Sequence, residues 1–93
     1  MNERMNGEEI EQWIESIMAG RLRQKEQSTL NIPEDMENFF DATAMAFAMV
    51  ATAPDKEAKR AAQELVNESG VLLTGELLKE AAIEADRQVR AMN

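Results

Sequence analysis

The sequence predicts an all-α protein: four helices joined by short loops in a single domain over residues 1–93. Three observations carry this. Fourteen residues are Ala and seven are Met, with aromatics at 4%, so helix formers dominate and strand formers are few. Apolar residues recur at intervals of three and four in several stretches. Two similar proline-containing breaks, "NIPED" and "TAPDK", divide the middle of the chain.

The first helix is expected at about 7–26, with residues 1–5 frayed. Asn6 can cap it, Glu9 can bond back, and Met5 can pack on Ile10. Ile10, Trp13, Ile14, Ile17, Met18 and Leu22 form its apolar stripe. Trp13 reads as core more readily than as a binding hot spot. Arg21, Arg23 and Lys25 suit the negative end of the helix dipole, and Gly20 is a candidate bend.

The second helix is expected at about 33–51, opened by Asn31 as cap and Pro33 in the first turn. After Asp41 comes a run of thirteen uncharged residues, "ATAMAFAMVATAP", six of them Ala, most of it within this helix. Alternation of Met45, Phe47 and Met49 with Ala imitates a strand, but propensity and the flanking prolines favour helix. A helix apolar all round is expected to be buried on all sides. Three short neighbours barely cover it. Phe40, Ala42, Met45, Ala46, Phe47, Met49 and Val50 are therefore candidates for either the monomer core or an apolar contact with a partner or second copy. A homodimer is the expected state.

The third helix is expected at about 54–68, with Thr52 as cap. Ala58, Ala61, Ala62, Leu65 and Val66 form its apolar face, and Gly70 is its left-handed stop. The fourth is expected at about 75–92, capped by Thr74, with Leu73 stapled to Leu78. Leu78, Ala82, Ala85, Val89 and Met92 follow as a heptad-like seam.

Charge narrows the functional classes. The chain holds 18 acidic and 10 basic residues, net −8, and residues 1–41 carry −6 of it. Such a chain is repelled by phosphate backbones and anionic lipid heads, so direct binding to nucleic acid or membrane is not expected. With no Cys and no His, there is no disulfide framework, thiolate nucleophile or His-based site. No secretory signal or membrane span is read, and a cytoplasmic location is expected. No cofactor or metal is expected.

From Glu26 to Asp41 there are five acids and no base: Glu26, Glu34, Asp35, Glu37 and Asp41. They are the candidate acidic docking surface for a protein with a basic surface. The expected function is a small acidic interaction module: an adaptor, a chaperone-like carrier, or an inhibitor of a larger and possibly nucleic-acid-binding protein. One alternative is a Mg-dependent all-α nucleotide pyrophosphohydrolase, with the spaced pairs Glu37/Asp41 and Glu80/Glu84 as metal ligands. Another is a self-assembling structural component.

Overall fold

A computed structural model of the chain describes residues 6–92 and shows four α-helices in that span: α1 (Gly7–Gln27), α2 (Glu37–Thr52), α3 (Lys56–Gly70) and α4 (Gly75–Met92). The readings placed on residues 1–5, including the Met5 contact, lie outside the described residues. No described helix is long and apolar enough to cross a membrane.

Helix α1 starts as its sequence dictates. Asn6 is extended, and its side-chain oxygen accepts from the Glu9 backbone N–H at 2.9 Å. α1 runs through Gly20 unbroken. Gly20 is a packing position. A Cβ there would lie 2.8 Å from Gln88 Nε2.

The start of α2 differs from the expectation. A single 3₁₀ turn, Glu34–Met36, precedes it, and no side chain caps either element. Asn31 is not the cap. Extended Pro33 takes that position, and its carbonyl accepts the Met36 N–H at 2.9 Å.

The cap of α3 also moves. Asp55 accepts from the Ala58 N–H at 2.8 Å, while Thr52 stays on α2. The Thr52 hydroxyl donates to the Ala48 carbonyl and accepts from the Trp13 indole at 2.8 Å. Gly70 is not a left-handed stop, since no described glycine has a positive φ. It is the last residue of α3, and the chain leaves through tight turn bonds from Leu72 to Ser69 and from Leu73 to Gly70. Gly70 is buried, and a Cβ there would press on Leu78 at 3.0 Å. Thr74 caps α4, as its sequence predicts, by accepting from the Leu77 N–H.

Helix α2 is the hub. It packs most extensively on α3 and α4, and α1 leans on both α2 and α4. Two buried clusters run along it. Phe40, Ala44 and Ala81 form one, with Leu30, Ile32, Leu73 and Leu77 against it. Ile17, Ala48 and Ala85 form the other, with Trp13, Met45 and Val89 against it. Phe47 packs on both. Ala44 and Ala48 on α2 thus share clusters with Ala81 and Ala85 on α4. The four-residue spacing of small side chains on each helix is what lets the two backbones approach. This accounts for two of the six alanines in the uncharged stretch.

The inward faces of α3 and α4 are rotated from the expected ones. On α3, Ala62 is buried and Ala58 and Val66 are half-buried, but Ala61 and Leu65 are exposed. On α4 the buried residues are Ala81, Glu84, Ala85 and Gln88, while Met92 is exposed.

Candidate functional site

The four helices do not close into a ring. Helix α3 packs on α2, and α1 packs on the other flank of α2, so α1 and α3 stand apart. The space between them is an open apolar groove of about 490 Å³. Its floor is α2, through Phe39, Ala42, Met45, Ala46 and Met49. One wall is Ile14, Ile17 and Met18 of α1. The other is Leu65, Glu68 and Ser69 of α3, continued by Leu72.

Several of these side chains are more exposed than core residues. Met18 is 56% exposed, Leu72 50%, Leu65 45% and Phe39 38%. The expectation that α2 is buried on all sides is therefore corrected along one stripe. Phe39 and Ala42 face solvent, and Met45 and Met49 are only half-buried. The physical reason is simple. Three helices cannot cover the whole circumference of a fourth, and the open side is the one between α1 and α3.

The candidate apolar residues divide accordingly. Ala42, Met45, Ala46 and Met49 line the groove. Phe40 is fully buried in the core, and Phe47 and Val50 are half-buried away from the groove lining. Ile14, Met18 and Leu65, expected on the inward faces of α1 and α3, line the groove instead, and Phe39 and Leu72 join them without having been singled out from the sequence. Leu65 carried a usable signal: it lies three after Ala62, one flank away from the buried line of Ala58, Ala62 and Val66.

Acidic side chains border the groove. Glu68 is in its lining. Glu11 and Glu15 are exposed and lie three residues before Ile14 and Met18, which makes them their neighbours on the outer side of α1. Exposed Glu64 adjoins Leu65 on α3. None of the groove-lining residues is basic.

The acidic segment 26–41 has a different character. Glu26, Glu34 and Asp35 are exposed. Asp41 is only 18% exposed and already engaged: the Arg21 Nη2 is 2.9 Å from its Oδ1 and the Lys25 Nζ 2.7 Å from its Oδ2. Glu37 lies 3.8 Å from the same Lys25. The Lys25 ammonium is held above its ordinary pKa of 10.5, first by the hydrogen bond to Asp41 and then by the charge of that carboxylate. Two of the five candidate acids are thus partly neutralised by α1.

Arg21 is the centre of a buried polar knot, with only 4% of its side chain exposed. Besides Asp41, it donates from Nη1 to the Glu84 carboxylate, itself 5% exposed, and its guanidinium lies 5.3 Å from the Phe40 ring centroid. The Ser28 hydroxyl donates to Glu84 Oε2 at 3.2 Å, and Gln24 Nε2 donates to the Glu84 carbonyl at 2.5 Å. One turn further along α4, Gln88 Nε2 donates to the Ile17 carbonyl at 2.9 Å, while its buried Oε1 has no hydrogen-bond partner among the described residues. This knot joins α1, α2 and α4. Of the quartet Glu37, Asp41, Glu80 and Glu84, Asp41 and Glu84 converge, and they converge on Arg21. Among the described residues no three acidic side chains are grouped as a metal site.

A second concavity of about 700 Å³ lies between the C-terminal half of α1 and α4, where Arg23, Gln24, Glu84, Arg87 and Gln88 line it. Gln24, Ser28, Glu84 and Gln88 of the knot form part of its lining, beside Arg23, Gln27, Thr29, Glu80 and Arg87.

Compared with known families, with curated proteins and with solved structures, the chain matches none of them.

Proposed function

We propose that this protein is a small acidic interaction module that acts by binding another protein, as an adaptor, carrier or inhibitor, and performs no chemical step itself. The observation that carries the reading is the open apolar groove between α1 and α3. Soluble monomers seldom leave large contiguous apolar surface in a concave place unless something covers it. Met18, Met45 and Met49 give the groove an adaptable lining, suited to a partner whose side chains must be accommodated. The acidic balance of the chain favours a partner with a basic surface and a fast, salt-sensitive encounter. The engagement of Asp41 and Glu84 by Arg21 favours binding over the pyrophosphohydrolase alternative, because a guanidinium stands where those two carboxylates meet.

The groove also shifts the proposed contact away from the acids of 26–41, where Lys25 offsets part of the charge. The two surfaces are separable. Tagged wild-type protein, Ala42→Arg, and a charge reversal of Glu34, Asp35 and Glu37 are each used for capture from lysate of the native source. A stoichiometric protein retained by the wild type and by the charge reversal, but lost in Ala42→Arg, supports the groove. A protein retained by all three, or lost only with the charge reversal, overturns it.

A further inference from the structure

We infer that the groove takes a single amphipathic helix with basic flanks, contributed by a different protein and not by a second copy of this chain. This rests on the groove being the docking surface and adds the chemistry of its occupant. Shape is the first argument. The groove is a trough with α2 as floor and α1 and α3 as walls, and its floor residues run from Phe39 to Met49. Ten helical steps span about 15 Å, so an occupant lying along α2 makes about three turns of contact. A helix of that length presents apolar anchors at i, i+3, i+4 and i+7, which is the helix-in-groove mode of recognition. An added strand is unsuited here, because the described residues offer no sheet edge to pair with.

Charge is the second argument, and it decides between occupants. Glu11 and Glu15 flank one wall, Glu64 and Glu68 the other, and the lining contains no base. Basic side chains on both sides of an apolar stripe therefore meet acids on both rims. The chain's own best candidate for an occupant is the exposed stripe of α1: Ile10, Ile14, Met18 and Leu22, spaced by four and 37–60% exposed. In a second copy that stripe arrives with Glu11 and Glu15 beside it, against the acidic rims of the first. Like charges across a partly desolvated interface oppose that pairing, as does a net charge of −8 on each copy.

The probes are two synthetic helical peptides of about fourteen residues with leucines at i, i+3, i+4 and i+7. One has lysines at the flanking positions and the other has glutamates. Affinity for the full chain is read by fluorescence polarisation, and the site by amide chemical-shift changes. The basic peptide is expected to bind with shifts confined to α1, α2 and α3 around Met18, Ala42 and Leu65. The acidic peptide is expected to bind at least roughly tenfold more weakly, with the gap narrowing as salt is raised. Ala42→Arg, at an exposed position where circular dichroism can verify folding, is expected to abolish binding of the basic peptide. Glu15→Lys with Glu68→Lys, which sets two bases beside the remaining Glu11 and Glu64, is expected to remove most of the preference between the peptides.

Equal affinity for both peptides, or a preference unaltered by the Glu15 and Glu68 reversal, overturns the inference while leaving the groove as a docking surface. Binding of the basic peptide that survives Ala42→Arg overturns it as well. A dimer in light scattering that Ala42→Arg converts to monomer makes a second copy the occupant and contradicts the inference directly. Capture of a native protein lost in Ala42→Arg, combined with failure of the basic peptide, separates loss of this partner class from loss of the docking groove.

Discussion

Arg21 does more than complement a helix dipole. It is buried and holds Asp41 of α2 and Glu84 of α4 at once. Burying three charges is costly, so this knot sets which faces meet more than it adds net stability. Arg21→Met leaves Glu84 buried without its cation and Asp41 with Lys25 alone, and is expected to cost about 3–5 kcal/mol. Combining it with Glu84→Gln is expected to cost clearly less than the sum of the two single changes, as denaturant unfolding in a double-mutant cycle can measure. Lys25 acts at the rim of the same knot. Its folded pKa is raised, so its contribution is complete below 10.5 and is lost as pH climbs through the folded value. The melting temperature of Lys25→Gln should therefore lie slightly below wild type at neutral pH and meet it in strong alkali. Gly20 gives a sign test. Gly20→Ala pushes on Gln88 and is expected to destabilise the wild type. In a Gln88→Ala background it should stabilise by up to about 1 kcal/mol through helix propensity. The signal for Arg21 was present in the sequence, since it lies four residues after Ile17 on the apolar stripe. A charged residue on that stripe was easily assigned to the helix end instead, because Arg23 and Lys25 stand close by.

At the scale of elements, the four helices were legible because each joins periodic apolar residues to a recognisable start. Asn6 and Thr74 cap where the sequence predicts. The errors cluster at the prolines. Pro33 and Pro54 each offered more than one acceptor nearby, and only the backbone geometry selects Asp55 over Thr52 and leaves Asn31 unused. The rotated faces of α3 and α4 have another cause. Periodicity counted apolar residues, whereas α4 buries Glu84 and Gln88 because Arg21 and the Ile17 carbonyl receive them. On α3 the consequence is measurable. Leu65 is 45% exposed at the groove wall, so Leu65→Ala is expected to cost less than about 1 kcal/mol in unfolding. Ala62 is fully buried, so Ala62→Leu overpacks the α2–α3 contact and is expected to cost about 1–3 kcal/mol. The reverse order would mean that the α3 face expected from periodicity is the packed one.

At the scale of the molecule, the uncharged stretch 42–54 serves two ends. Ala44 and Ala48 let α4 close on α2, while Ala42, Met45, Ala46 and Met49 line a groove that the other helices leave open. Sequence alone could identify the stretch as unusual. It could not say which residues fall in the core and which in the groove, because that depends on α1 and α3 standing apart across α2. The acidic rims were also hidden, since Glu68 enters the lining, and Glu11, Glu15 and Glu64 border wall residues, only once the two outer helices are placed. If this groove is where the protein meets its partner, a photo-crosslinking residue at Ala42 and a matched one at Arg90, on the far end of α4, will behave differently in cells of the native source. A discrete crosslinked protein is expected from position 42 and none in common from position 90. Position 42 yielding no adduct, or the same adducts as position 90, would contradict it.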